Sequence, residues 1–412
     1  MLTETITLEG HIIDSRALGN VLDDILALGG EFKILEVAIG QSKYERSHAR
    51  IEVRAKSRKA LRDLRRRLSQ HGALWDAPDD AELTPADMDG AFPDDFYCTT
   101  NQQTWVRHGG EWQEVRGQEM DCGIRRDPPT GEFRCLPMNQ VHKGDLIVCG
   151  HRGVRLELHD RQRASGAFEF MTSEVSTEKP KNTIIRRCAG MMIHARDAGQ
   201  KLLLVGGPAI VHTGASEHVT RLIERGFVHV LFAGNALAVH DIEHSLYGTS
   251  LGVYIDKATL ADTGHEHHLR AINTIRRAGG IAAAVERGLL KSGVMHACVK
   301  HGVEFVLAGS VRDDGPLPDV ITDVMVAQDR MRTLVRDVGF VLMVATALHS
   351  IATGNLLPAW TPVVCVDISP SMLTKLSDRG SSQTVGLVTD VEPFFRSLAQ
   401  AIDELDSASP TL

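Results

Sequence analysis

An α/β fold with a parallel, Rossmann-like sheet in the C-terminal half is predicted by three observations. The first is Lys201 to His212, KLLLVGGPAIVH. Here the apolar run Leu202 to Val205 stops at Gly206-Gly207-Pro208 and a helical stretch follows from Val211 to Arg225. An apolar run of that length reads as a strand buried on both faces, and strand, tight glycine turn, helix is the unit that places backbone N–H groups against a phosphate. The second is repetition: Val228–Phe232 runs into Ala233-Gly234-Asn235-Ala236, Val303–Leu307 into Ala308-Gly309-Ser310, Val341–Ala345 into Thr346-Ala347, and Val363–Val366 into Asp367. The third is that most of these runs are separated by helical stretches, which makes a parallel sheet whose strand ends converge on one crevice. The glycine turn is not GxGxxG, and on the turn alone a plain βα connection reads equally well.

Length and composition set the frame. The 412 residues, 43% hydrophobic and 24% charged, fit two to three globular domains. A net charge of -8 argues against an electrostatic nucleic-acid binder. No apolar stretch approaches the ~18 residues of a transmembrane helix, and MLTETITLEG has no basic segment followed by an apolar core. A cytoplasmic location is therefore expected. The seven cysteines, an odd number and none in a CxxC pair, read as free thiols. A zinc site from Cys98, Cys122, Cys135 and Cys149 lacks the close ligand pairs such sites use, so no metal is expected.

In chain order, residues 1–80 read as a ferredoxin-like plait with the order βαββα: a strand at Thr5–Leu8, a helix from Ser15 to Leu28, strands over Glu31–Ile39 and Arg50–Ala55, and a helix from Ser57 to His71. Its basic run, Arg62, Arg65, Arg66 and Arg67, reads as a solvated helix face, with anion docking the second reading. Residues 81–170 carry Gly109-Gly110, Pro128-Pro129 and short strand-like pieces such as Thr104–Val106 and Leu146–Val148, and read as a small β-rich subdomain. The polar stretch 161–180 is the hinge candidate. From 181 to 405 the α/β pattern is continuous, with helices over Asn182–Ala198, Pro318–Asp337 and Val391–Leu405 and a frayed tail from Asp406.

Several constellations could carry chemistry. Asp367 at a strand end suits a ribose diol and would repel a 2′-phosphate; with Ile368-Ser369-Pro370 it also reads as a helix start. Asn235 could hydrogen-bond a cofactor or tolerate a left-handed turn, and His240-Asp241 could act as general acid/base or be satisfied core residues. Gly264-His265-Glu266-His267-His268 lacks HExxH spacing and opens a helix, where Glu266 suits the dipole, so a structural or substrate-side role is favoured over metal. Arg312-Asp313-Asp314-Gly315-Pro316 reads as a cation-binding acidic turn or an ordinary one. Thr346-Ala347-Leu348-His349 and Thr389-Asp390-Val391 complete the strand-end set.

The blocks LFAGNALAVHDIE, GSVRDDGPLPDV, ATALHSIATGNLLP and VCVDISPSMLTKLSDRGSSQTVGLVTDV closely resemble the archaeal-type ornithine cyclodeaminases. That family has an N-terminal region named for lysine-oxoglutarate reductase/saccharopine dehydrogenase and is similar to the C-terminal part of the cyanobacterial arginine dihydrolase/ornithine cyclodeaminases. The resemblance runs from ITLEGHIIDS to residue 391. It implies an NAD-binding Rossmann-like domain and conversion of L-ornithine to L-proline and ammonia, with a hydride borrowed and returned by NAD. The positions matching the NAD-contacting blocks are Asn235, Ala236, Asp314, Thr346, Ala347, Leu348, His349, Asp367, Asp390 and Val391. The δ-amine must lose a proton, so His240, Asp241 or Glu266 is expected near the nicotinamide as base. The expected partners are the small-molecule substrate and further copies of the chain in a homo-oligomer, not nucleic acid or membrane. An opine- or saccharopine-type NAD-dependent dehydrogenase and a non-catalytic NAD- or amino-acid-binding module are the alternatives.

Overall fold

The structure, a computed structural model, describes the whole chain except residues 11, 14–16, 41–44, 46, 70, 76–78, 158–174, 177–180, 256, 258, 262–263, 314, 379–383 and 409–412. By packing, the chain divides into one unit of Met1–Ala167 with Asn355–Trp360 and a second of Phe168–Gly354 with Thr361–Leu412.

The first unit opens with β1 (Leu2–Gly10), α1 (Ala17–Ala27), β2 (Glu31–Ala38), β3 (Ser47–Ala55), α2 (Arg58–Ser69) and β4 (Leu74–Trp75). The strands lie in the order β2-β3-β1-β4, with β1 antiparallel to both β3 and β4 and β2 antiparallel to β3. This is the ferredoxin-like plait, completed by a fourth strand that its two-residue length hides in the sequence. Alternation explains the buried side: Ile51 and Val53 of β3, with Ile6 and Leu8 of β1, meet Val21, Ile25, Leu64 and Leu68 of the helices. Within the basic run, Arg65 chelates Glu4 at 2.6 and 2.8 Å and Arg67 reaches Asp24 at 2.8 Å.

The β-rich part follows as β5 (Glu82–Pro85), β6 (Gln103–His108), β7 (Glu111–Arg116), β8 (Gly123–Arg126), β9 (Phe133–Leu136), β10 (Leu146–Cys149) and β11 (Val154–Glu157). These form one sheet in the order β11-β6-β7-β9-β8-β10-β5 over a core that includes Val106, Ile124, Phe133 and Val148.

The second unit contains β12 (Val175–Ser176), α3 (Lys181–Asp197), β13 (Lys201–Gly206), α4 (Ala209–His212), α5 (Ser216–Glu224), β14 (Val230–Gly234), α6 (Asn235–Tyr247), the short strands β15 (Thr249–Ser250), β16 (Val253–Tyr254) and β17 (Thr259–Leu260), then α7 (His267–Ala278), α8 (Ile281–Glu286) and α9 (Val294–Lys300). It continues with β18 (Glu304–Ala308), β19 (Val320–Ile321), α10 (Val324–Leu334), β20 (Val338–Val344), α11 (Ala347–Leu356), β21 (Val363–Asp367), α12 (Pro370–Asp378), β22 (Thr384–Val388) and α13 (Val391–Ala408). The eight-stranded sheet runs β12-β22-β21-β20-β13-β14-β18-β19, and every pairing in it is parallel. Numbered by first appearance, its six central strands read 3-2-1-4-5-6, the Rossmann order with its switch point between β13 and β20.

Two sequence expectations are corrected here. The helix expected from Val211 to Arg225 is two helices, because Gly214 takes φ +82° and breaks them. The helix expected from Pro318 starts at Val324, where Asp323 accepts from the Met325 and Val326 N–H groups; Val320 and Ile321 instead form the edge strand β19. The hinge candidate 161–180 lies mostly outside the described residues, but its Val175-Ser176 pairs with β22.

The turn after β13 needs glycine for a measurable reason. A Cβ on Gly207 would stand 1.9 Å from the Ala345 carbonyl oxygen, whereas one on Gly190, within α3, meets nothing within 4 Å. Gly207→Ala is expected to destabilise by about 1–3 kcal/mol or more, and Gly190→Ala to stabilise by about 0.5–1 kcal/mol. Urea unfolding of the two variants beside the parent checks both signs.

Candidate active site

The crevice is built by backbone ties between successive strand ends. Gly207 N–H donates to the Val344 carbonyl at 2.9 Å, Ala345 N–H to Val366 at 3.0 Å and Thr389 N–H to Asp367 at 3.1 Å. These ties draw the ends of β13, β20, β21 and β22 into one line. Ala345 holds φ +50° without being glycine, a strained conformation of the kind concentrated at functional sites.

Most of the strand-end residues singled out in the sequence meet at this edge. Thr346 Oγ1 and His349 Nδ1 are 3.1 Å apart, and the His349 ring reaches across β13 to β14, where a Cβ on Gly234 would meet Cε1 at 3.2 Å. Burial pushes the His349 imidazole below its ordinary range, so it is neutral at pH 7. Ala347 and Leu348 form the first turn of α11, Asn235 and Ala236 that of α6. Asn235 is buried and its Oδ1 accepts from Leu317 N–H at 3.1 Å, pinning the loop after β18. Asp390 accepts from Val391 N–H at 2.6 Å. Asp367 accepts from Ser369 N–H through one oxygen at 2.8 Å, an Asx turn ahead of α12 that leaves its second oxygen open among the described residues. Asp314 lies outside the described residues.

The edge fits a dinucleotide. The N-terminus of α6, at Gly234, has no side-chain cap, so its first N–H groups are available to an anion. Leu348, Ile368 and Val311, at the ends of β20, β21 and β18, are exposed apolar side chains (80%, 72% and fully). Bare apolar side chains on the rim of a crevice suit flat rings better than water.

Further along α6 lies a buried ionisable network. His240 Nδ1 is 3.1 Å from Glu243 Oε2, one helical turn on, and its ring packs 4.8 Å from that of His212. Glu243 is fully buried and accepts from Gly252 N–H at 2.9 Å, Leu251 N–H at 3.2 Å and Thr249 Oγ1 at 2.9 Å. Thr249 Oγ1 also meets His267 Nδ1 at 2.8 Å, and His212 Nδ1 meets Ser250 Oγ at 2.6 Å. Burial pushes the Glu243 carboxyl up, but the hydrogen bonds from His240, Gly252 and Thr249 outweigh it and hold it below the usual range. Burial, then the neighbouring His240, lowers His212.

The three candidate bases therefore part company. Asp241 is fully buried on the opposite side of α6, and its two oxygens accept from Val294 and Met295 N–H at 2.8 Å each. It caps α9 from a distance and cannot reach a substrate. Burial pushes it up to about 6 against those two bonds. Glu266 stands on the surface, paired with Arg270 at 2.8 Å, which holds its carboxyl low and makes it a poor base. His240 alone sits in a network that could poise a proton. Sequence reasoning did not single out His212 or Glu243. The i, i+3 spacing of His240 and Glu243 on one helix was a readable signal for the latter, whereas the approach of His212 is tertiary. Among the described residues no group of three metal-ligating side chains is placed to hold an ion.

Glu243 is the network's anchor. Glu243→Ala would strand several buried donors and is expected to cost about 3–5 kcal/mol in urea unfolding. Because its folded-state pKa is depressed, its contribution is present above the unfolded value of 4.5 and is lost as pH falls through the folded value. The acid-side loss of stability should be shallower in Glu243→Gln than in the parent.

Comparison with known proteins adds three matches to family models: the LOR/SDH bifunctional enzyme conserved region over residues 3–102, and the C-terminal first region and C-terminal Rossmann fold of ArgZ-like arginine dihydrolases over 103–185 and 186–398. The chain is 53% identical to an ornithine cyclodeaminase of Methanothermobacter thermautotrophicus, covering 98% of this chain and 99% of that one. A LOR/SDH protein structure from Methanococcus maripaludis superposes with a TM-score of 0.76 at 49% identity, over 80% of this chain and 99% of that one. The ternary complex of the Nostoc bifunctional enzyme AgrE with ornithine and NAD+ matches at a TM-score of 0.55 and 40% identity, over 99% of this chain and 58% of that one.

Proposed function

The chain belongs to the archaeal-type ornithine cyclodeaminase family, and on that premise we propose that it converts L-ornithine to L-proline and ammonia with NAD as a cofactor regenerated in every turnover. One observation carries the reading: α6 presents an uncapped N-terminus to the crevice and, about 7.5 Å further along its axis by the helical rise, the His240–Glu243 pair.

Bound NAD+ would supply a reversible hydride acceptor for the Cα of ornithine. The chain's own residues do the rest. The first turn of α6 would hold a phosphate, and the open oxygen of Asp367 a ribose hydroxyl. Glu243 is ionised, so it can only accept, and His240 Nδ1 must carry the proton. That leaves the Nε2 lone pair free to take a proton from the δ-ammonium. The neutral δ-amine then attacks the α-imine carbon, the α-nitrogen leaves as ammonia, and hydride return gives proline. The proton on Nε2 can serve the departing nitrogen. Burial favours the uncharged form of the neighbouring His212. The apolar rim of Leu348, Ile368 and Val311 helps exclude water while the hydride is out of the substrate.

A cytoplasmic, oligomeric enzyme of proline formation completes the reading. It is in keeping with the free cysteines, with the absence among the described residues of a helix long and apolar enough to cross a membrane, and with the exposed Ile34, Leu35 and Val37 on the edge strand β2.

Ornithine turnover should release proline and ammonia one for one, with no NADH in solution, and deuterium at Cα of ornithine should reappear at Cα of proline. NADH growing in step with ornithine consumed would replace this reading with a dehydrogenase. His240→Asn is expected to lower kcat by about 10²–10⁴-fold at near-parental Tm, while Glu266→Gln leaves kcat within about two-fold, since an exposed ion pair contributes little. Steady-state assays of the two variants distinguish the bases.

A further inference from the structure

The geometry points to a second ligand site, in the first unit and independent of the reaction above: the cavity between the plait and the β-rich sheet takes a small organic carboxylate, gripped by Arg155 and laid against Trp75 and Trp112. The cavity has a volume of about 160 Å³ and is lined from the plait by Arg65, Leu74 and Trp75 and from the sheet by Trp112, Arg152 and Arg155. That is room for on the order of ten waters, or one molecule the size of an amino acid.

Its charge is unbalanced. Three arginines face one lining carboxylate, Asp79, which stands 3.8 Å from Arg65 and 3.7 Å from Arg152. Arg65 is already chelated by Glu4. Arg155 is different. Its guanidinium lies over the Trp112 ring at 4.9 Å and the Trp105 ring at 5.2 Å, and among the described residues it has no carboxylate or hydrogen-bond partner. Lying over two indoles holds the planar fork in place while its N–H groups stay unpaired among the described residues, and such a fork can receive a carboxylate in bidentate fashion. A second observation agrees. Among the described residues the buried Trp75 indole N–H has no hydrogen-bond partner, and Arg65 covers that ring at 5.1 Å. A buried donor left unpaired is costly, so the cavity offers more donors than its one carboxylate, Asp79, can serve.

The walls define the rest of the ligand. Trp75, Trp112, Ala73, Leu74 and Val154 are apolar surfaces that an inorganic anion would leave against water. A carbon skeleton of a few atoms covers them, and its carboxylate meets Arg155 and the Trp75 N–H.

Three of the four tryptophans in the chain, Trp75, Trp105 and Trp112, either line the cavity or stack on Arg155, so intrinsic fluorescence of the full chain reports on it. The test titrates succinate, L-glutamate and propionate, with phosphate and chloride as controls. At least one organic carboxylate is expected to saturate the signal with Kd below about 10 mM. Arg155→Met, and Arg155→Lys through loss of the fork and the stack, should weaken it by about ten-fold or more. Should either fail to fold by circular dichroism, Trp75→Phe keeps a ring, removes the N–H and should weaken binding several-fold. Saturating NAD+ and the His240→Asn variant should leave the titration unchanged. The proposal is overturned if no carboxylate saturates, if phosphate or chloride serves equally well, if the Arg155 and Trp75 variants bind like the parent, or if NAD+ or His240→Asn abolishes the signal.

Discussion

The close approach of two backbones at the switch point governs the rest of the second unit. The turn after β13 and the turn after β20 meet where the Gly207 Cα faces the Ala345 carbonyl, with no space for a side chain between them. The first and fourth strands of a doubly wound sheet must part there, because their following helices go to opposite faces. Keeping the turns in contact as the helices diverge requires a glycine on one side and the positive φ of Ala345 on the other. The hydrogen bonds that follow along β20, β21 and β22 propagate this alignment, so the crevice floor is a continuous strip of main chain with side chains standing around it.

Carboxylates in this unit take their roles from their surroundings. Asp241 and Glu243 are two residues apart on α6 and both are fully buried, yet their affinities for protons move in opposite directions. Asp241 has two backbone donors against complete desolvation and is pushed up; Glu243 adds a histidine and a hydroxyl to its backbone donors and is held down. The count and charge of donors outweigh the depth of burial. A helix places side chains two apart on opposite faces, so one faces the α9 N-terminus and the other the histidine cluster.

Much of the fold was legible because strands buried on both faces have to be written as uninterrupted apolar runs, and five such runs with small or acidic ends set the parallel sheet. The plait was legible through alternation in β3 and the apolar faces of α1 and α2. Elements held by tertiary pairing were not: Leu74-Trp75, Val175-Ser176 and Val320-Ile321 are two residues each and exist as strands only through their neighbours. Of the site, the strand-end residues followed from the topology, because parallel strands bring their carboxyl ends to one edge whatever the details. The different surroundings of the candidate bases did not, because Asp241 and His240 are adjacent in the chain and nothing local says which of them faces a backbone terminus. His212 belongs to the same VGGPAIVH stretch that announced the sheet, but its meeting with His240 depends on how α4 and α6 cross.

The short segment Asn355–Trp360 packs with the first unit, where Met120 N–H donates to the Asn355 carbonyl and Ala359 N–H to that of Asn101, both at 2.9 Å. Its Leu356 and Leu357 are almost completely buried. The polypeptide therefore passes between the units three times, after residues 167, 354 and 360, and no single cut in the gene yields both as whole pieces. A fragment beginning at the Rossmann sheet would carry Asn355–Trp360 without the unit it packs with, and a fragment ending before the sheet would lack that segment. Such interleaving makes the apparent domain boundary a poor place for insertion or truncation.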